Sequence, residues 1–320
     1  MRIFIFVTAL IFSFFVLNLA AYAQQQQQQV TQAPEYINAG EFKGFGVSVS
    51  GVNYNFVKSV ILIFGNKWSA PAKNEDELED QIWEQLLLSF EAYRRGIKVE
   101  DDDLKNEVSR TLAADKVNFD WQKDRLAYQK WVKGKIGINT DVFENQLRHL
   151  LQISSLRDQV FESIKVEVSE EEAKQEFLNE YNTIELELAE FEDLSLAQDY
   201  FSKMQDPLLW VKQNSDDPKY YKHPGFVSFE FLIDLWKIPK EDLYHMAKMD
   251  VDSIYPPVPF YRGYGVSRIL QKRIANEDDF PKLKDSYIKQ VETKKKYDGL
   301  ASWIKKLKEE AQVRPVWFVY

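Results

Sequence analysis

Apolar positions along this chain follow two rhythms. From Glu75 to Glu172 they recur mostly at three- and four-residue spacing, the period of a helix face. From Ile184 they begin to alternate, the period of a strand. The longest helical stretch opens at Ile138. Asn139 or Thr140 can cap it, and Asp141 and Glu144 fall in its first turn, where the helix dipole favours negative charge. Phe143, Leu147, Leu150, Leu151, Leu156, Val160, Phe161 and Ile164 form its stripe. The pattern gives out around Ile164 to Val168 and restarts at once, because Ser169 followed by Glu172 reads as a capping box. A stripe this long needs partner helices to cover it.

Those partners are visible upstream. Glu75 to Arg95 carries Leu78, Ile82, Leu86, Phe90 and Tyr93 on one face, widened by Trp83 and Leu87. Acids fill its first turn, Arg94 and Arg95 its last, and Gly96 stops it. A short connector and an acidic start follow, with Leu104 and Val108 pointing inward. Asn118 to Lys133 reads as another helix, ended by Gly134 and Gly137. Before them, Phe42 to Val52 alternates Val and Ser and reads as extended. Asn53 to Phe64 has helical spacing, although its β-branched content pulls towards strand. Short connections between these helices suit a compact helical domain.

The texture changes after Tyr181. Ile184 to Phe191 alternates strictly, as a half-buried strand does. Helices are predicted over Leu194 to Met204, Pro207 to Gln213 and from Pro239 to about Met249. Ile254 to Pro259 reads as extended, Gly263-Tyr264-Gly265 as a turn and Val266 to Gln271 as a strand. Strand, helices, strand makes a small α+β module of about 90 residues. Asp278 to Ala311 is a last helical stretch with a Lys-rich outer face, read as solvated surface. Val313 to Tyr320 reads as a last strand. The fold class expected is α+β, mainly α.

The N-terminus sets the address. Arg2 precedes an apolar run from Ile3 that ends in Ala20, Ala21 and Ala23, and Ala21-Tyr22-Ala23 is a cleavage-type sequence. Residues 1–23 are therefore expected to be a signal peptide cut after Ala23, giving a periplasmic or secreted protein. The rival is an uncleaved anchor, since about 20 apolar residues span a bilayer. Residues 24–36, opening with six glutamines, are expected to be a linker. The chain has no Cys, so neither disulfides nor thiol chemistry is available. Its formal charge of −9 gives no general attraction for nucleic acid. Three scattered His and no Cys offer no metal-spaced cluster, and no phosphate loop or catalytic triad is visible, so no cofactor or metal is expected.

The order of leader, helical domain, strand–helices–strand module and C-terminal helix resembles the SurA-like periplasmic foldases and the wider PpiD and PrsA group. The stretch EDELEDQIWEQLLLSFEAYRRGIKVEDDDLKNEV (75–108) is similar to that group's sequence of helix, Gly-Ile/Val-Lys-Val connector and acidic cap. VFENQLRHLLQISSLRDQVFESIKVEVSEEEAKQEF (142–177) is similar to its next one. The resemblance implies a helical chaperone domain over 37–180 and a parvulin-like prolyl isomerase domain over 181–274. A C-terminal helix and strand over 275–320 would pack back on the helical domain. It also places the isomerase's polar positions at Glu190, Asp217 and Gly265. The first and last of these stand where the family carries histidines, so the resemblance implies a degenerate domain with little or no isomerase activity.

The resemblance implies three alternative functions. The first is an exported chaperone that binds unfolded or extended polypeptides, outer-membrane or secreted proteins among them, without ATP. Phe56, Phe64, Trp68, Trp83, Tyr93, Trp121, Tyr128 and Trp131 are its candidate client-binding residues, each with core packing as the competing reading. The second is an active peptidyl-prolyl isomerase using Asp217. The third is a non-catalytic adaptor for one dedicated envelope partner.

Overall fold

The computed structural model describes residues 38–68, 71–216 and 221–316. The leader, the Gln run, Asp217 and the second half of the predicted last strand lie outside the described residues. Two compact units emerge. One holds the described residues up to Lys165 together with those from Tyr297 onward, and the other is Val166–Lys296. Both are mainly helical or helix-covered around small antiparallel sheets, an α+β, mainly α architecture.

The first unit starts with β1 (Asn38–Phe42), a 3-10 turn (Lys43–Phe45) and β2 (Val47–Ser50). The single extended segment expected over 42–52 is thus a reversal. Gly46, at φ 66°, takes the left-handed conformation that closes the 3-10 turn. Helix α1 (Gly51–Trp68) follows at once. Its helical spacing prevails over its β-branched content because Val57, Val60 and Ile61 bury one shared face.

Helix α2 (Glu75–Arg94) is capped by Asn74, whose side chain accepts from the Glu77 amide at 2.8 Å. Gly96, at φ 69°, turns the chain out of it. Buried Glu91 accepts a hydrogen bond from Arg95 Nε and forms an ion pair with Arg94, both at 2.7 Å, so the carboxylate inside the unit is paired at the helix C-terminus. Helix α3 (Asp101–Ala114) comes next, then α4 (Arg125–Lys135). Residues 118–124, expected within α4, are turns instead. Asp120 draws the Gln122 and Lys123 amides to its own carboxylate at 3.1 and 3.3 Å, and Asp124 caps α4 by accepting from Ala127 at 2.9 Å. Local Asp-to-backbone bonds of this kind compete with a helix ladder.

Helix α5 (Thr140–Ser163) organises this unit. Asn139 caps it, accepting from Val142 at 2.8 Å. The first half of its stripe, Phe143 and Leu147, joins a core with Leu104, Val108, Leu112, Tyr128 and Val132. The second half, Ile153, Leu156 and Val160, joins a separate core with Phe42, Ile82, Trp83, Leu87 and Leu307. Leu307 comes from the far end of α11 (Phe280–Ala311), after which β8 (Val313–Pro315) pairs with β1 in the order β2-β1-β8. Backbone contact is close here. A Cβ built on Gly44 would lie 1.8 Å from the Glu310 carbonyl oxygen.

In the second unit α6 (Glu170–Tyr181) carries the capping box in full. The Ser169 hydroxyl accepts from the Glu172 amide, and the Glu172 carboxylate accepts from the Ser169 amide. A hydrogen bond from Lys295, together with the bonds from Ser169, holds the Glu172 carboxyl near a pKa of about 2. Lys284 and Lys294 of α11 pair with Glu170 and Glu176 of α6. Part of the Lys-rich face of α11, expected to be solvated, therefore meets the acidic face of α6.

The main sheet runs β4-β3-β7-β6, all antiparallel, with β5 (Phe226–Ser228) also on β3. Its strands are β3 (Thr183–Phe191), β4 (Tyr221–Lys222), β6 (Ile254–Phe260) and β7 (Gly263–Arg273). Alternation along β3 sorts side chains to two covered faces. Ile184, Leu186 and Leu188 pack under α9 (Phe229–Asp234) and α10 (Lys240–Lys248). Ala189 and Val266 pack with Ala197 of α7 (Leu194–Lys203) and Trp210 of α8 (Pro207–Asp216).

The expected turn at Gly263-Tyr264-Gly265 lies inside β7, and the chain reverses at Tyr261-Arg262 instead. The glycines answer to close packing. A Cβ on Gly263 would sit 2.3 Å from the Phe191 carbonyl oxygen, and one on Gly265 would sit 2.6 Å from Leu188 Cδ1.

Candidate functional site

Glu190 and Gly265 face each other on one rung of the β3–β7 ladder. Directly opposed residues of an antiparallel pair point to the same face, so this rung continues the face of Leu188. Glu190 forms an ion pair with Lys222, brought alongside by β4. The Lys222 ammonium lies 5.7 Å from the centre of the Tyr261 ring. Its pKa is raised. Partial burial works against the charge, but the hydrogen bond and charge of Glu190, with the Tyr261 hydroxyl, outweigh that. On the other side of the rung there is no free volume at Gly265, because the Leu188 side chain occupies the space a Cβ would need.

The two imidazoles of this unit are placed elsewhere. His223 Nε2 is 3.1 Å from Glu185, five residues back along β3. His245 Nδ1 is 3.5 Å from the Tyr255 hydroxyl. That hydroxyl donates to Asp242 at 2.9 Å, and burial followed by the Asp242 bond pushes its pKa up to about 12. The rung therefore carries a carboxylate paired with Lys222 and a glycine.

Beside it runs a chain of aromatic rings. Phe231, in the first turn of α9, lies 6.1 Å from Trp236, Trp236 6.5 Å from Phe260, and Phe260 5.1 Å from Tyr261. The Tyr261 amide donates to the Trp236 carbonyl at 2.9 Å, which fixes the β6–β7 turn to the end of α9. Phe260 is buried, whereas Phe231 is 38% exposed, Tyr261 44% and neighbouring Leu235 60%. Rings anchored at one edge and open at the other are suited to taking an apolar side chain.

The aromatic candidates of the first unit divide differently. Trp83 and Tyr128 are buried inside the two cores, so they are packing residues in this fold. Trp83 donates its indole N–H to Glu79 at 2.6 Å and meets Phe42 edge-on. Phe56, Phe64, Trp121 and Trp131 are half-buried around the same cores, with Phe64 and Trp131 against Phe143. Tyr93 is 79% exposed at the end of α2. The Trp68 side chain lies outside the described residues. Phe231, Trp236, Tyr261 and Lys222 had not been singled out in the sequence. The signal for the first three was the aromatic density of Phe226 to Trp236 and of Phe260-Tyr261.

Among the described residues no cluster of His, Asp and Glu could hold a metal ion, and no helix is long and apolar enough to cross a membrane. No family model matches the sequence, and no curated protein does. Solved structures do match. The peptidylprolyl isomerase PrsA from Bacillus anthracis shares 16% identity, with 75% of this chain and 99% of that one covered at a TM-score of 0.40. A structure from the study of PEB4 and Cj1289, described as SurA-like chaperones of Campylobacter jejuni, shares 15% identity, with 85% and 96% covered at 0.36. The foldase PrsA from Streptococcus pneumoniae shares 13%, with 84% and 91% covered at 0.30. The chain is similar to PrsA-type and SurA-like proteins. Likeness at these identities and scores leaves its activity to be argued from its own residues.

Proposed function

We propose that this chain is an exported chaperone that binds unfolded or extended polypeptides without ATP, and that its sheet-containing unit binds without isomerising. The supporting observation is the Glu190–Gly265 rung. Turning a prolyl bond means twisting a partial double bond, against a barrier of about 18–20 kcal/mol. Lowering it takes a tuned polar network around a dry pocket. Here the carboxylate is already bound to Lys222, the facing position has no side chain, and both imidazoles of the unit engage other partners. What remains beside the rung is an open aromatic surface, which binds apolar side chains and has no chemistry to perform on them. Export rests on the leader over 1–23 with cleavage after Ala23, and outer-membrane or secreted proteins are the client class that export would supply.

Aggregation assays test this. The purified chain should suppress aggregation of several unrelated unfolded proteins in the absence of nucleotide. Suppression of none would overturn the chaperone reading. The adaptor reading has its own support in the α7–α8 surface, where Leu208 is 79% exposed, Leu209 48% and Val211 45%. Recovery of a single stoichiometric partner through that surface, with no general aggregation suppression, would favour it.

A further inference from the structure

We infer that the aromatic surface of the sheet-containing unit selects extended peptides in which an apolar or aromatic residue is followed closely by a carboxylate, with Arg262 as the residue that reads the charge. This inference rests on the proposed polypeptide-binding role and specifies its substrate class. Two observations carry it. One is how the surface ends. Tyr261 is flanked by two cations, Lys222 at 5.7 Å and Arg262 at 5.1 Å from its ring centre. Lys222 is neutralised by Glu190, whereas exposed Arg262 has no carboxylate partner among the described residues. A guanidinium held over a ring face is partly ordered and keeps N–H donors available, so a carboxylate can be gripped at reduced entropic cost.

The other observation concerns how a peptide can be held. One edge of this sheet is β6, the strand that leads into Tyr261, and it contains Pro256, Pro257 and Pro259. Proline donates no N–H to a ladder, so this edge is blunted against an added strand. On the β6 side of Tyr261 recognition then falls to side chains: rings for the apolar residue and Arg262 for the charge. The chain as a whole is acidic, at −9, so its general field opposes anionic peptides and any preference for them must be local.

The test uses the full chain and two fluorescent, unstructured peptides that differ only in Phe-Pro-Asp against Phe-Pro-Lys. Anisotropy titration at low salt should show the Asp peptide binding about threefold to fivefold tighter, the range of an exposed ion pair. The preference should shrink at high salt, survive in Arg262→Lys and reverse in Arg262→Glu. Equal binding of both peptides, unchanged in Arg262→Glu, overturns the inference and leaves the binding role standing. Binding of neither peptide while aggregation suppression persists also overturns it, and moves client binding away from this surface. Loss of both activities counts against the proposed function itself.

Discussion

Two pairs of aromatic residues, one pair in each unit, do opposite work. In the helical unit Trp83 and Tyr128 are sealed in cores and their neighbours lean on those cores from outside. In the sheet-containing unit Phe231 and Tyr261 stand partly open, tied to the fold through Trp236 and the Tyr261 amide. Identical residue types thus supply stability in one place and an available surface in the other. What separates them is whether neighbouring elements cover the ring, and composition cannot tell the two apart.

Four predictions sharpen that contrast. The largest effect is expected at α5, where Phe143→Ala should remove about 3–5 kcal/mol by opening a cavity in the core shared with Tyr128 and Val132. Chemical denaturation would register it as a lower midpoint, and an unchanged midpoint would show that the core is looser than described. Trp83→Ala belongs to the same class, and its indole N–H bond to Glu79 is lost as well.

A pH effect comes next. Burial lowers the His149 pKa to about 4, and the ring packs edge-on to Phe56. Its unfolded value is about 6.5, so protonation favours the unfolded chain. The stability from keeping this ring neutral is fully present above pH 6.5 and declines as pH falls towards 4, by roughly 3 kcal/mol over that window. His149→Phe should flatten that part of the stability profile, and an identical profile in the variant would show that other groups set it.

Smaller still, Gly265→Ala should cost about 1–3 kcal/mol by pressing on Leu188, whose side chain can give way only in part. Its thermal midpoint should recover when Leu188 is trimmed to Val in the same chain. The smallest stability effect belongs to Tyr261→Ala, within about 0.5–1 kcal/mol because the ring is exposed, yet peptide affinity should fall several-fold. A large stability loss with unchanged affinity would place Tyr261 with Trp83 and erase the contrast.

Much of this could be read in advance where one local rule governed. The α5 stripe, the Asn139 cap, the Ser169–Glu172 box and the alternation of β3 each follow from a single periodicity or capping bond. The departures came where side chains compete with backbone or where packing decides. Asp120 and Asp124 undid the first turns of the expected helix at 118, and two glycines that look like a turn are in-strand positions kept bare by Phe191 and Leu188. The site was legible only in outline. Glu190 and Gly265 could be named from the resemblance, but that Lys222 neutralises Glu190 depends on β4, a two-residue strand with no periodicity to read.

The most direct test is exchange NMR on a Phe-Pro peptide titrated with the full chain, because one experiment reads binding and turnover together. The account predicts shifts or broadening of the peptide resonances with the cis–trans exchange rate unchanged. Acceleration of that exchange to the level of an active isomerase would contradict it.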